Sequence, residues 1–360
     1  MPERIYNFSP GPSVLPYSVL LQAAKDIVNF NNKGIGLIEL SHRSKEFMAV
    51  TEEAEQLIRE NLNVPDNYKV LFLQGGASSQ FFMIPMNLLG PGRKAAYLNT
   101  GAWSDKAIKE ARLFGEIEVP YSSKDAKFNR VPRDEEYTVD PDSEYLYFVS
   151  NNTIYGTQFQ TFPSADALLV SDMSSDIFSR PVEVSRFGII FAGAQKNMGP
   201  AGVTVVIIRE DLLDRAPANL PTMLRFKTHA DKGSMFNTPP CFSIYCVGLV
   251  MKWLKEQGGV EAISQINRKK ADLVYSAIDR TDFYRGHAEV ASRSTMNISF
   301  NLPTPELEAK FIAEATALGL DGLKGHRSIG GCRASIYNAF PMEGVDKLVQ
   351  FMEEFAGTNG

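Results

Sequence analysis

The sequence lacks the short motifs that mark several common enzyme classes. It contains no Gly-Lys dipeptide, which excludes a phosphate-binding P-loop, and no GxGxxG, HExxH or GxSxG motif. These absences argue against P-loop hydrolases, HExxH zinc proteases and nucleophile-elbow hydrolases. The glycines at 34 and 36 come nearest to a dinucleotide-binding loop, but the pattern predicts no suitable helix after them.

Cysteine and histidine are scarce, with three and four residues. The odd set Cys241, Cys246 and Cys332 fits a reducing compartment, and its spacing matches no zinc site, so we expect no metal. No apolar run near the N-terminus has the basic flank of a signal peptide, and the longest apolar stretch, 241–254, is too short to cross a bilayer. We therefore expect a cytoplasmic protein without membrane contact.

The composition is that of an ordinary globular protein, with 44% hydrophobic and 22% charged residues among 360. The net charge of −5 argues against a nucleic-acid partner. If the ligand is an anion, the positive charge that binds it must be gathered locally.

Short apolar runs alternate with amphipathic stretches, which predicts an α/β fold with a mostly parallel sheet flanked by helices. The predicted strands of this sheet are 70–73, 95–98, 145–149, 168–170, 188–192 and 203–208. The predicted helices around it are 19–30, 45–62, 79–89, 104–114, 242–257 and 260–279. A later strand, helix, strand, helix pattern covers 296–300, 305–318, 334–337 and 344–355. It predicts a smaller C-terminal α+β domain.

The length favours two domains, or one large domain with a satellite. We place a large domain at residues 16–257 and a small one at 258–360, with the Gly258-Gly259 pair as the hinge. We expect residues 1–15 to pack near the active site.

The first segment that indicates a site is VLFLQGGASSQF, residues 70–81. A strand leads into Gly75-Gly76, and a helix opens at 77–79. The glycines allow a ligand close to the backbone, and the free N–H groups of a helix start favour phosphate. A plain strand-to-helix turn has the same pattern, so this segment alone decides nothing.

Two further segments carry a lysine and an acid. Lys196 lies in a loop of small residues between two apolar strands, where burial would lower the pKa of its amine and make it a nucleophile toward an aldehyde. Asp172 directly follows an apolar strand, where it could hold a pyridinium nitrogen protonated. Asp176 competes for that role but lies further from the strand end. The alternatives are a loop lysine that binds carbonyl groups and a helix-capping aspartate.

The fourth signal is a set of cations in loops. The set contains two histidine–arginine pairs, His42-Arg43 and His326-Arg327, and a further arginine, Arg333. Arginine matches carboxylate and phosphate groups in shape, so the set indicates recognition of a dianion, although surface ion pairs explain any one of these residues equally well.

Taken together, these segments resemble the phosphoserine aminotransferases, a family within the class V, fold-type I aminotransferases that use pyridoxal phosphate (PLP). The similar segments are NFSPGPSVLP at 7–16, GLIELSHRSKEF at 36–47, FLQGGASSQF at 72–81, NTGAWSDKA at 99–107, NNTIYGTQF at 151–159, SRPVEVSRFGIIFAGAQKNMGPAG at 179–202, GSMFNTPP at 233–240 and KGHRSIGGCRASIYNA at 324–339.

The resemblance implies roles for individual residues. Lys196 matches the lysine that binds the cofactor covalently, and Asp172 matches the acid on its pyridine nitrogen. The other implied cofactor-binding residues are Ala77, Ser78, Trp103, Thr153, Gln195, Asn237 and Thr238. Asn237 and Thr238 resemble residues that the family supplies from a partner subunit, which implies a homodimer with shared active sites. The implied substrate-binding residues are Arg333, for the α-carboxylate, and His42, Arg43, His326 and Arg327, for the distal anion.

The reaction implied is amino transfer from L-glutamate to 3-phosphohydroxypyruvate, in serine biosynthesis. Some relatives also act in vitamin B6 biosynthesis, where they form 4-phosphohydroxy-L-threonine. One departure is visible, because Asn152 stands where many relatives carry Glu. The alternatives are another class V enzyme, such as an alanine–glyoxylate aminotransferase or a cysteine desulfurase using Cys332, and a phosphate-binding protein without catalysis.

Overall fold

A computed structural model describes residues 4–90 and 92–360. The α-helices of these residues are α1 (Tyr17–Val28), α2 (Lys45–Leu62), α3 (Gly76–Leu88), α4 (Ala102–Ala111), α5 (Phe226–Ala230), α6 (Cys241–Glu256), α7 (Gly259–Asp279), α8 (Pro305–Ala317) and α9 (Met342–Asn359). The strands are β1 (Tyr6–Asn7), β2 (Tyr68–Leu73), β3 (Lys94–Asn99), β4 (Glu116–Ser122), β5 (Ser143–Val149), β6 (Asn151–Asn152), β7 (Thr157–Gln158), β8 (Leu168–Asp172), β9 (Phe187–Gly193), β10 (Thr204–Arg209), β11 (Arg285–Gly286), β12 (Asn297–Asn301), β13 (Leu320–Asp321) and β14 (Cys332–Ser335).

The central sheet has seven strands in the order β2-β10-β9-β8-β5-β3-β4. Only β10 runs against the others, pairing antiparallel with both β2 and β9. Both faces of the sheet are buried, as alternate residues of β2 show. Val70 and Phe72 pack into one apolar cluster with residues of α2 and α6, while Leu71 and Leu73 join another with residues of α3 and α4.

This topology brings six strand ends to one edge of the sheet. The carboxyl ends of β2, β3, β4, β5, β8 and β9 lie on the same side, because these strands are parallel to one another. In open α/β sheets this edge is where ligands bind. The ends of β2, β3, β5, β8 and β9, and the segments that follow them, carry several residues of the candidate site.

The C-terminal part builds a second core on a small antiparallel sheet, β11-β12-β14. Helices α7, α8 and α9 pack against it, with Val274, Phe311 and Phe351 in one apolar cluster. Phe8 is fully buried in the same cluster, and β1 pairs in parallel with β13. The N-terminal segment therefore packs against the C-terminal core.

The structure confirms the predicted fold class, an α/β fold with a mostly parallel sheet and helices on both faces. Ser44 caps the start of α2, since its Oγ accepts a hydrogen bond from the Phe47 N–H at 3.2 Å. The domain boundary at 257/258 stays a prediction. Among the described residues, no helix is both long enough and apolar enough to cross a membrane.

The edge strand β4 was missed by the sequence prediction. Its sequence, EIEVPYS, is half-buried or exposed throughout, so it lacks the continuous apolar run that marks a central strand. It also contains Pro120, which cannot donate to a ladder and is tolerated because β4 lies at the edge of the sheet.

Candidate active site

The turn between β2 and α3 exposes the start of a helix. Gly75 and Gly76 have φ angles of +92° and +67°. A Cβ atom on Gly75 would lie 1.9 Å from the Ser79 Oγ, so no larger residue fits there. Helix α3 begins at Gly76 with no side chain capping it, which places Ala77 and Ser78 in a first turn whose N–H groups have no partner within the helix. Such a turn is suited to a phosphate.

Asp172 ends strand β8 as a buried carboxylate, only 5% exposed. Its Oδ1 accepts a hydrogen bond from the Ser174 N–H at 2.9 Å. Burial raises the pKa of Asp172, while the bonds from Ser174 and the charge of Lys196 act in the opposite direction. Ser174 was not foreseen, although an Asp followed two residues later by Ser is a familiar local turn pattern.

Asp176, the competing acid, is engaged elsewhere. Its carboxylate accepts hydrogen bonds from Ser150 and, at 3.0 Å, from the Gln158 side chain, and it pairs with Arg180 at 3.5 Å. Asp172 has no such arginine partner among the described residues. The geometry therefore favours Asp172 as the acid that is free to bind a ligand.

Lys196 lies in the turn after β9, at the same sheet edge. Burial lowers the pKa of its amine to about 8, although Asp172 opposes the shift and Arg333 adds to it. Its Nζ lies 5.6 Å from the centre of the Trp103 ring. An amine with this pKa is partly unprotonated near neutral pH and can act as a nucleophile or a base.

Beside this lysine lies a wall of three residues linked by hydrogen bonds, Trp103, Thr153 and Arg333. The Trp103 indole N–H donates to Thr153 Oγ1 at 3.3 Å, and Arg333 Nη1 donates to the Thr153 carbonyl oxygen at 3.0 Å. Arg333 is 7% exposed, and its buried Nε has no hydrogen-bond partner among the described residues. Because a buried unpaired donor is costly, this atom marks a place where a ligand oxygen would be stabilised.

The second histidine–arginine pair lies next to this wall. His326 Nδ1 and Ser328 Oγ are 2.7 Å apart. Burial lowers the pKa of His326, and the positive charges of Arg333, Arg327 and Lys106 lower it further. Arg327 is exposed. Three cations, Arg333, Arg327 and Lys106, therefore stand close to His326 at the mouth of the site.

The first histidine–arginine pair lies in a separate group. His42 Nδ1 is 3.4 Å from Thr238 Oγ1, and the Gln74 side chain donates to the Thr238 carbonyl oxygen at 3.1 Å. Asn237 lines a cavity of about 340 Å³ near Gly75. The buried His42 Nε2 has no hydrogen-bond partner among the described residues, and no hydrogen bond of those residues joins this group to Lys196. Exposed Arg43 follows it in the chain.

The N-terminal segment covers the backbone of the lysine loop. Ser13 N–H donates to the Gln195 carbonyl oxygen at 3.0 Å, and Ser13 Oγ donates to the carbonyl oxygen of Lys196. A Cβ atom on Gly11, whose φ is +144°, would lie 3.2 Å from Lys196 Cγ. These contacts join residues more than 180 positions apart, so no local sequence pattern indicates them individually.

Asn152, where the resemblance leads us to expect a departure from the family, lies in β6. It is buried, and its Nδ2 donates to the Oγ1 atoms of Thr100 and Thr157 at 3.2 and 3.1 Å. Its Oδ1 has no partner among the described residues, and a Cβ on Gly101 would approach it to 2.6 Å. The short amide thus fits a tight space at the end of β3.

Comparison with known proteins identifies the class. A family model described as class-V aminotransferase matches residues 5–348. The chain belongs to the class-V aminotransferase family. This confirms the resemblance on which the sequence prediction of the fold and activity relied.

The relatives narrow the class further. A phosphoserine aminotransferase from Desulfotalea psychrophila is 70% identical over 359 residues, covering 100% of this chain and 99% of its own. The structure of a phosphoserine aminotransferase from Bacillus circulans subsp. alkalophilus has a TM-score of 0.97 at 50% identity, with 99% of each chain covered. A PLP-bound phosphoserine aminotransferase from Trichomonas vaginalis has a TM-score of 0.93 at 40% identity, covering 97% of this chain and 100% of its own. Within the class-V family, the chain falls among the phosphoserine aminotransferases.

Proposed function

We propose that this protein transfers the amino group of L-glutamate to 3-phosphohydroxypyruvate, giving O-phospho-L-serine and 2-oxoglutarate, with PLP as its cofactor. The observation that carries the proposal is the placement of the Lys196 amine with the buried Asp172 carboxylate and the Trp103 ring. The whole-length similarity to phosphoserine aminotransferases supports the choice of substrates.

The residues present fit the cofactor. The open first turn of α3 suits its phosphate, Trp103 offers a flat face to its ring, and Asp172 offers an acceptor for its pyridine nitrogen. When bound, PLP would supply an electron sink that stabilises negative charge on the α-carbon of the substrate. Asp172 maintains that capacity by keeping the ring nitrogen protonated.

Lys196 has two tasks in this proposal. It holds the cofactor before the substrate arrives, and its free amine then takes the proton from the α-carbon of the amino acid. A base works best when its pKa lies near the operating pH, and the pKa of about 8 meets that condition. The backbone of this lysine is held by Ser13, which keeps the amine in place.

Different basic residues bind the two anionic groups of the substrate. Arg333, with its unpaired Nε beside Thr153, takes the α-carboxylate, which both amino-acid substrates share. His326, Arg327 and the His42-Arg43 pair take the distal anion, a phosphate in one substrate and a carboxylate in the other. Arginine and histidine suit this double task, because they bind anionic oxygens of either geometry.

We also propose a homodimer in which each site uses residues of both subunits. The group that contains His42, Asn237 and Thr238 would face the Lys196 of a partner. Apolar side chains near this group support the proposal, since Ile38 is 59% exposed and Phe236 is 41% exposed. The three cysteines, all free thiols, fit the cytoplasmic location that we propose with it.

The cysteine desulfurase alternative has little support. It needs a reactive thiol on an accessible loop, but Cys332 is fully buried in β14. Burial also raises the pKa of its thiol well above the ordinary value of 9.0, so the thiolate is disfavoured. Cys332 is therefore a packing residue of the C-terminal core.

Spectroscopy of the purified enzyme tests the proposal. We expect a yellow protein whose visible band fades when glutamate is added and returns with 2-oxoglutarate. Lys196→Ala should abolish turnover, whereas Lys106→Ala should retain it, although the Nζ of Lys106 lies 4.4 Å from the centre of the same Trp103 ring. Near wild-type turnover by Lys196→Ala with both substrates would refute the assignment, as would a protein that takes up no PLP.

A further inference from the structure

A second cationic cavity lies outside the residues assigned to the active site. It measures about 400 Å³ and lies between the turn at 179–186, the loop at 158–162 and helix α7. Its charged lining consists of Arg180, Arg186, Arg268 and one acid, Glu183. None of these residues has a role in the proposed reaction.

Most of this positive charge is not neutralised by protein. Arg180 pairs with the buried Asp176 at 3.5 Å. Arg186 donates only to carbonyl oxygens, at 2.9 Å for Pro163. Arg268 makes no hydrogen bond or ion pair with the described residues, and neither it nor Arg186 lies within 4.0 Å of a carboxylate oxygen among them. Two guanidinium groups are thus left without a counter-charge.

Two of the arginines, Arg180 and Arg268, are also close enough to repel each other. The positive charge of Arg268 contributes to lowering the pKa of Arg180, a shift caused chiefly by burial. The buried Nε of Arg180 has no hydrogen-bond partner among the described residues. Like charges close together around a cavity repel one another, and an anion between them would relieve this repulsion.

The shape of the lining suits a tetrahedral oxyanion. Ser264 and Arg268 are four residues apart on α7, so both project from the same face of that helix into the cavity. Arg180 and Arg186 approach from the turn at 179–186. A hydroxyl group and several guanidinium groups that line one space from different elements match the several oxygens of a phosphate better than the two of a carboxylate.

We propose that this cavity binds a phosphate dianion, either free or carried on a small monoester. The bound phosphate joins the turn at 179–186 to helix α7 through Arg186 and Arg268. It therefore stabilises the contact between these two elements and raises the thermal midpoint of unfolding.

Calorimetric titration of the PLP-loaded enzyme at constant ionic strength tests this site. The ligands are inorganic phosphate and glycerol 3-phosphate, with chloride as the blank. We expect Arg268→Gln and Arg186→Gln each to weaken phosphate binding at this site by about tenfold or more, with unchanged kcat and KM. Lys269→Gln is the matched control, since it removes the same charge one residue along the exposed part of the same helix.

The Arg327→Gln variant distinguishes phosphate binding at the active site from phosphate binding at this second site, because the substitution should leave binding at the second site unchanged. Binding of inorganic phosphate alone identifies the free ion as the ligand, and binding of both probes identifies a monoester site. The proposal is overturned if Arg268→Gln and Arg186→Gln titrate like Lys269→Gln, or if neither probe raises the thermal midpoint. These outcomes do not depend on which amino acid the enzyme uses.

Discussion

Asp172 and Lys196 have pKa values that burial shifts toward each other. Burial raises the pKa of the carboxyl and lowers that of the amine to about 8, while the opposite charge of each residue partly restores the other. The amine therefore titrates near pH 8 because burial outweighs the opposing charge of Asp172. Removing one member of the pair should change the behaviour of the other.

The first prediction concerns the nucleophilicity of Lys196 in the cofactor-free enzyme. The amine reacts with an aldehyde only when unprotonated, so trapping by borohydride reduction should rise with pH through a midpoint of about 8. In Asp172→Asn the negative charge that favours the ammonium form is lost. The midpoint should therefore move to lower pH, by roughly one unit.

Peptide mapping of the trapped site provides the measurement, and Lys196→Ala corrects for other lysines. An unchanged midpoint in Asp172→Asn would mean that the two groups do not interact. A midpoint that moves to higher pH would contradict the sign of the interaction.

The placement of Asp172 and Lys196 at one edge of the sheet could be predicted from the sequence, because each lies at or after the end of a recognisable strand. Asp172 ends a short apolar run, and Lys196 lies in a small-residue loop after another, so the parallel topology alone brings them to one edge. The turn at Gly75-Gly76 could also be predicted, because it follows a strand and only glycine adopts these φ angles without strain.

The contacts between distant loops could not be predicted in the same way. Ser13 reaches Lys196 and His42 reaches Thr238 only through tertiary folding, and neither pair leaves a periodic signal. The neutralisation of Asp176 by Arg180, four residues apart, was in principle visible. This pairing favours Asp172 as the acid that binds the ligand only together with the structural finding that Asp172 has no arginine partner among the described residues.

The second prediction separates the two anion subsites of the substrate. Arg327→Gln should lower kcat/KM for O-phospho-L-serine by roughly 10- to 100-fold and leave that for L-alanine nearly unchanged, because alanine has no distal anion. Arg333→Lys should lower both, because both amino acids carry the α-carboxylate. Rates of the cofactor's absorbance change report each half-reaction. Equal losses for the two substrates in Arg327→Gln would remove Arg327 from the distal subsite.

The third prediction tests shared active sites by mixing two inactive proteins. Lys196→Ala and Asn237→Asp chains, refolded or exchanged together, should form hybrid dimers with one intact site. Half of the dimers in an equal mixture are hybrids, so activity should return to about a quarter of the wild-type value. If Asn237 served the Lys196 of its own chain, each hybrid site would contain one defect. The mixture would then be no more active than its parents.

Lys270 is a second buried lysine, and the proposed mechanism does not use it. Its Nζ donates to the carbonyl oxygens of Ile336, Tyr337 and Phe340 at 3.0, 2.7 and 3.1 Å. A neutral amine has only two N–H groups, so all three bonds require the charged form. Burial nevertheless lowers the pKa of this amine to about 7, and none of the described carboxylates pairs with it.

The fourth prediction follows from the sign of that shift. Between pH 7 and 10.5 the unfolded chain binds a proton at Lys270 that the folded chain lacks. The free energy of unfolding should therefore rise with pH across this window. Below pH 7 Lys270 should contribute nothing to the change of this free energy with pH. The free energy of unfolding of the wild type, relative to Lys270→Met, should therefore increase by on the order of 2 kcal/mol from pH 7 to 9. Urea unfolding at one protein concentration measures this difference, with the exposed Lys269→Met as control. Parallel curves would mean that the three carbonyl groups keep the ammonium charged, and that the pKa of Lys270 is not depressed.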